Sequence, residues 1–240
     1  MKNIISFLVL LTINGVAYAN IDGYYGVIND PDGYTNIRKQ DNLKSPVITK
    51  LSNSTPLSIE CEDSSIDKNF CSVRFGKTQD GFVYKNRLNL LTANATFNKI
   101  PLTSVSRDKT QGAFSNKDVR VNVAFSPVKI DIKNFNEQTS SKFGINKSDP
   151  VVDYYKLRDI KVTFKNRVIT LPSSATQDIY LNYYFLSHNQ IANNMAVYQN
   201  KKDNHIYIIG RFADGALLYS VIYEIKDGKY FRKSVWSEAI

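Results

Sequence analysis

The chain has 240 residues, of which 42% are hydrophobic and 12% aromatic, a balance that excludes a disordered chain and supplies material for one or two cores. Its formal charge of +9 is spread along the sequence with no run of five basic residues, as on a solvated surface. In the cytoplasm such a balance would point to nucleic acid as a partner, but an export signal over residues 1–19 sets that aside. The anionic surfaces left for it to meet are envelope polymers, lipid headgroups or an acidic protein.

The first predicted element is an export signal. Lys2 is the only charge before an apolar run from Ile4 to Ile13, and Val16-Ala17-Tyr18-Ala19 ends in the small-x-small pattern that a signal peptidase reads. A signal over residues 1–19, cleaved after Ala19, makes Asn20 the first mature residue and the protein periplasmic or secreted. A run of about ten apolar residues is too short to cross a bilayer core of roughly 30 Å, and no later stretch reaches spanning length, so the chain is not expected to span a membrane.

Between residues 20 and 91 short apolar-rich runs alternate with turn residues. Strands are predicted near 24–29, 35–39, 47–51, 57–61, 70–75 and 81–83. The two cysteines of the chain, Cys61 and Cys71, both fall here. Cys61 shares a strand face with Leu57 and Ile59, and Cys71 shares one with Val73 and Phe75. The polar stretch from Glu62 to Asn69 reads as a hairpin tip that sets the sulfurs opposite each other, so a disulfide is expected. Closing so short a loop stabilises by roughly 2 to 3 kcal/mol in the chain-entropy model.

Asp30-Pro31-Asp32-Gly33-Tyr34-Thr35-Asn36-Ile37-Arg38 and Gly81-Phe82-Val83-Tyr84-Lys85-Asn86-Arg87-Leu88 carry a resemblance that the strand pattern alone does not give. With Asn53-Ser54-Thr55, Phe70 and Val73 between them, they resemble the bacterial SH3-like (SH3b) domain family. That family shows an N-V-R-like core, a G-T-like turn, an aromatic before a distal-hairpin Val, and a closing G-[YW]-V followed by Leu. Phe70 stands where the family commonly has Trp, and the cysteine pair is not a family feature. The resemblance implies a small SH3-like barrel over residues 20–91.

Residues 92–118 turn polar, with Pro101 and few apolar periods, and read as a linker. A second, β-rich (α+β) domain is expected over 119–240. Within it, residues 119–125 alternate strictly and 128–132 alternate again after Pro127, predicting two strands or one bent strand. Residues 134–149 read as a polar loop. Residues 160–164, a Lys165-Asn166 turn and residues 168–171 predict a hairpin. After Pro172 a short helix is expected over 175–181. Three apolar runs separated by Asp214-Gly215 and Asp227-Gly228 predict an antiparallel C-terminal meander. The strings Ile169-Thr170-Leu171-Pro172 and Ala213-Asp214-Gly215-Ala216 resemble a loose group of uncharacterised exported bacterial β-rich domains, which implies no activity. The fold class expected is therefore mainly β.

Exported proteins with SH3b units are often wall hydrolases, so the chemistry of the chain bears on its class. A papain-like site needs a Cys outside the paired two, and none exists. A zinc site needs at least two well-spaced His with a third ligand, whereas His188 and His205 are the only two and are far apart in sequence. Glycine-rich phosphate loops are absent, and past residue 91 glutamate is limited to Glu137, Glu224 and Glu238. No catalytic residue, metal ligand or cofactor is assigned.

What remains is binding. SH3-like barrels engage extended peptides or glycans along aromatic surfaces flanked by polar groups, which by resemblance picks out Tyr34, Arg38, Tyr84 and Arg87. The rings offer flat faces, and the guanidinium groups can meet a carboxylate bidentately. The expected function is a non-catalytic exported protein that recognises peptidoglycan peptide or glycan. The alternatives are an immunity or inhibitor protein that blocks an exported partner enzyme or toxin, and a peptidoglycan hydrolase with an unrecognised active site.

Overall fold

The computed structural model of the chain describes residues 25–61, 69–76, 79–91, 95–130, 145, 153–182, 190–213 and 218–238. The expected signal, His188, the 134–149 loop apart from Ile145, and the Asp214-Gly215 turn lie outside the described residues. Among the described residues strand outweighs helix by 64% to 7%, the β class that the composition points to.

The first sheet holds β1 (Tyr25–Ile28), β2 (Tyr34–Arg38), β3 (Val47–Ser52), β4 (Pro56–Glu60), β5 (Phe70–Phe75), β6 (Gln79–Tyr84) and β7 (Leu88–Leu90), with a 3₁₀ turn over Lys85–Arg87 between the last two. Every pairing in it is antiparallel, and the order is β3-β2-β6-β5-β4-β1-β7. Alternate residues from these strands, Ile28, Ile37, Leu57, Ile59, Val73, Phe75 and Val83 among them, fill one core. The strands match the sequence reading closely. The closed barrel does not: among the described residues neither this sheet nor the other two closes on itself by strand pairing. The sheet ends at β3, whose residues are all exposed or half-buried, and at β7, from which the chain leaves for the next layer.

The segment expected to be a linker contains three strands. β8 (Phe97–Ile100) is the first strand of a second sheet, and β9 (Leu102–Val105) and β10 (Gln111–Ser115) belong to a third. β8 buries only its two end residues, Phe97 and Ile100, and β9 is polar at its two central positions, so neither strand shows the apolar alternation that marks one.

The third sheet continues with β11 (Val119–Lys129), β12 (Asp153–Phe164), β13 (Arg167–Thr170) and β14 (Tyr180–Asn182). β11 is one strand running through Pro127, which pairs in register with Tyr155, and the register shift with β12 lies ahead of it at Ala124/Phe125. Lys165 and Asn166 link β12 to β13 with φ of 47° and 63°, the paired left-handed conformation of a tight hairpin. The helix expected over 175–181 is a single turn, α1 (Ser173–Thr176). After it Ile179 accepts the backbone N–H of Leu157 and the chain becomes β14 beside β12. Sheet pairing there overrides helical periodicity.

A second short helix, α2 (Gln190–Asn194), leads back to the second sheet, completed by β15 (Met195–Asn200), β16 (Ile206–Phe212), β17 (Tyr219–Lys226) and β18 (Lys229–Ser237) in the antiparallel order β18-β17-β16-β15-β8. This is the middle layer. Val197, Ile206, Ile208, Val221 and Tyr223 pack with the third sheet, whereas Ala196, Tyr198, Tyr207, Ile209 and Ile222 pack with Tyr25, Val27 and Leu91 of the first. Burial on both faces explains why β15 to β17 read as continuous apolar runs rather than alternating ones.

The first two layers are also joined by polar contacts. Tyr25 shares a 2.7 Å hydrogen bond with Ser220, which in turn meets the Glu238 carboxylate. Glu238 also accepts the Trp236 indole N–H at 3.0 Å, and its backbone carbonyl accepts Arg74 of β5 at 2.7 Å. Farther along, Arg232 pairs with buried Glu224 and reaches the Ser54 carbonyl at the β3–β4 turn, 3.3 Å away.

Candidate functional site

The cleft is built from a turn outward. After β1 the chain reverses through Asp30-Pro31-Asp32-Gly33. The Asp30 carboxylate accepts the Asp32 N–H at 3.0 Å, its carbonyl accepts the Gly33 N–H at 3.0 Å, and Gly33 takes φ +83°, which favours glycine. Asn53, at the β3–β4 turn, clamps this loop from the other side. Its side-chain carbonyl accepts the Asp30 N–H and its amide donates to the Asp30 carbonyl, each at 2.8 Å.

β2 and β6 then cross at close range. Gly81 is there because a Cβ would lie 2.5 Å from Ile37 Cγ2 and 2.9 Å from the Arg38 carbonyl. The approach places Arg38 opposite Phe82 and puts Ile37 and Val83 at full burial between the strands. The two sequence motifs of the opening resemblance thus meet at this crossing.

Tyr34, Arg38, Tyr84 and Arg87, the four side chains picked out from the sequence, line a single cleft of about 340 Å³, together with Asp30, Asp32, Asn36, Leu43 and Phe70. Tyr34 is 42% exposed, with the Lys50 ammonium 4.5 Å above its ring. Tyr84 stands opposite Phe70 across β5 and β6, the rings edge to face at 5.2 Å, so the buried Phe70 fixes the orientation of the tyrosine.

Both arginines also hold loops. Arg38 donates to the Ser45 carbonyl at 2.7 Å, and the Ser45 hydroxyl accepts the Gln40 N–H at 2.8 Å, which ties the β2–β3 connection to the cleft wall. Arg87 lies 3.2 Å from the Asp30 carboxylate. Each guanidinium carries five N–H groups, so these contacts leave donors for a ligand.

Asp30, Asp32, Asn36, Leu43 and Phe70 were missed as cleft residues. Asp30-Pro31-Asp32-Gly33 is a legible turn, but its neighbour across space, Arg87, is 57 positions away in sequence. Asn36 is the least expected member: its side-chain carbonyl is buried with no hydrogen-bond partner among the described residues.

The cysteines pair as the strand faces suggested, with Cys61 and Cys71 joined by a disulfide across Cα atoms 4.3 Å apart. His205 is placed away from the cleft. It is 95% buried at the start of β16, its Nδ1 3.2 Å from the Tyr207 hydroxyl and 3.6 Å from the Asp203 carboxylate. Burial pushes its pKa below the usual histidine value. Among the described residues no three His, Cys, Asp or Glu come together in a way that could hold a metal ion, and no helix is long and apolar enough to cross a membrane.

What the cleft offers is two tyrosine faces, two guanidinium groups, an exposed carboxylate at Asp32, and an unmet acceptor at Asn36. That set can hold a polar, extended ligand by stacking and hydrogen bonding. No family model, no curated protein and no solved structure matches the chain.

Proposed function

We propose that the protein is an exported, non-catalytic binding protein whose N-terminal unit is SH3-like and takes a peptidoglycan stem peptide in the cleft between Tyr34 and Tyr84. The observation that carries this reading is the convergence of Tyr34, Arg38, Tyr84 and Arg87 on one open cleft, with none of its lining residues drawn from the second or third sheet. A stem peptide carries carboxylates and, at its diamino acid, an amine. The Arg38 and Arg87 forks suit the first and Asp32 the second, while the Asn36 carbonyl suits a peptide N–H.

Export is supported by the Lys2 and Ile4–Ile13 pattern and by the disulfide, which persists in an oxidising compartment. Sedimentation with purified insoluble peptidoglycan tests the proposal. Co-sedimentation that falls on Tyr34→Ala and Tyr84→Ala supports it, and protein left wholly in the supernatant overturns it.

A second reading rests on a different surface. Val47 and Ile48 are exposed on β3, the end strand of its sheet, and neither lines the cleft. An apolar sheet edge suits an exported protein partner, as an inhibitor or immunity protein would need. Ile48→Lys should abolish such a complex while leaving peptidoglycan co-sedimentation intact.

A further inference from the structure

The outer face of the third sheet carries a second concavity, of about 440 Å³ and wider than the Tyr34–Tyr84 cleft. Its origin lies in the register. Inward positions of β11 and β12 (Val121, Val123, Val162 and Ile160) serve the core, so the outward set on β10, β11 and β12 runs Ala113, Asn122, Lys161 in one cross-strand row and Gln111, Ala124, Asp159 in the next. Ala113 and Ala124 are short and form a floor beneath taller neighbours.

At Ala124/Phe125 the pairing shifts by one residue, which makes Arg158 the extra residue of a bulge on β12. A bulge re-aims a side chain, and here it sets exposed Arg158 beside Asp159 at the rim of the trough. Arg120 and Lys161 are also exposed along the trough.

The charge of this face is unbalanced. Three cations, Arg120, Arg158 and Lys161, line it against one carboxylate, Asp159, which already accepts Arg158 Nε at 2.7 Å. Arg120 Nε is spent on the Asn122 side chain at 3.2 Å, which orients the guanidinium along the sheet. The other nearby carboxylate, Asp108, is held in the β9–β10 turn by Ser106 and Thr110, and does not line the trough.

We propose that this trough is a second binding site, for a carboxylated saccharide chain, with its carboxylates held by Arg120, Arg158 and Lys161 and its hydroxyls by Asn122, Gln111 and Ser104. Charge complementarity selects an anion: with Arg158 paired to Asp159, Arg120 and Lys161 still leave the face net positive. The amide and hydroxyl side chains of the floor match sugar hydroxyls. The lining holds no aromatic ring, the element on which single-stranded nucleic acid stacks, which argues against a single-stranded nucleic acid. The site shares no residue with the Tyr34–Tyr84 cleft and stands whether or not that cleft binds peptide.

The test is a calorimetric titration of the full chain at low salt with an oligogalacturonate, a neutral malto-oligosaccharide of equal length, inorganic polyphosphate and a single-stranded oligothymidylate. The expected result is binding of the oligogalacturonate alone among the sugars. It should weaken about tenfold on Lys161→Ala and on Arg120→Ala, the cost of one charge-assisted contact. It should also weaken with salt, as solvent-exposed charge pairs do.

Tyr84→Ala should leave this binding unchanged, which separates the trough from the cleft. Ala124→Gln, whose side chain would fill the floor, should abolish it while the melting temperature stays within a few degrees of wild type. Equal binding of the neutral sugar, tighter binding of polyphosphate or oligothymidylate, or no heat with the oligogalacturonate overturns the proposal. So does binding that Lys161→Ala and Arg120→Ala both leave intact.

Discussion

The Arg87 guanidinium lies 3.2 Å from the Asp30 carboxylate, which ties the turn after β6 to the turn after β1. The same carboxylate accepts the Asp32 N–H at 3.0 Å, so one buried side chain fixes both walls of the cleft. Arg87 is partly exposed and its ion pair is screened by solvent, which makes the bond to the Asp32 N–H the larger contribution to stability.

Asp30→Ala should therefore lower stability by about 2 kcal/mol, and Asp30→Asn, which keeps an acceptor for Asp32, by about 1 kcal/mol. Differential scanning calorimetry of the two variants measures this ordering. Equal losses would assign the stabilisation to the ion pair instead.

Gly81→Ala tests the β2–β6 crossing. A methyl group there meets the Ile37 side chain and the Arg38 backbone carbonyl, and the carbonyl cannot move without breaking the sheet. A loss of about 2 to 3 kcal/mol in urea unfolding is expected, typical of overpacking against backbone. A neutral result would mean that the strands are farther apart than this geometry requires.

Reducing the Cys61–Cys71 bridge, or replacing both residues by Ser, should cost roughly 2 to 3 kcal/mol, since the ring it closes is short. Because the first and second sheets share a core around Tyr25, Trp236 and Ile222, the loss should appear as one shifted transition, not as early melting of the N-terminal unit. Thermal melts with and without reductant, followed by Trp236 fluorescence and far-UV circular dichroism, check both points.

The N-terminal strands were legible because the runs are short and separated by turn residues, because β2, β5 and β6 alternate, and because Gly33, Gly81 and Asn53 mark positions the backbone requires. The β12–β13 hairpin was legible from Lys165-Asn166 for the same reason. Residues 97–115 were not, because β8 buries only its two end residues and β9 is polar at its two central positions, while β10 opens on Gln111 and closes on Ser115. Sheet closure was not legible either, since whether two edge strands pair depends on their distance and not on their sequence. At the cleft, the tyrosines and arginines were visible as types, whereas the carboxylate that organises them, Asp30, read only as a turn residue. The trough on the third sheet left no motif at all: it arises from two alanines and a one-residue bulge, which exist only as register.

Acid should weaken the fold through His205. Burial holds its folded pKa below the usual 6.5, against the attraction of Asp203 and Asp227 and with the repulsion of Lys226 and Arg232. As pH falls below 6.5 the unfolded chain gains a proton that the folded chain refuses. The stability His205 contributes near neutral pH is thus lost toward the depressed folded value. Glu224 works in the opposite sense, because burial raises its pKa above 4.5 and protonation there favours the fold. The difference in melting temperature between wild type and His205→Gln should accordingly shrink between about pH 7.5 and about pH 5, across the histidine range. A difference that stays constant over that interval would contradict a neutral, buried His205.

A heteronuclear NMR titration with a purified stem tetrapeptide tests the proposed binding of a wall peptide between Tyr34 and Tyr84. Shifts confined to Tyr34, Asn36, Arg38, Tyr84 and Arg87, lost on Tyr84→Ala and about tenfold weaker on Arg38→Ala, are the predicted result. No shifts at millimolar peptide, or shifts that map elsewhere and survive Tyr84→Ala, would contradict it.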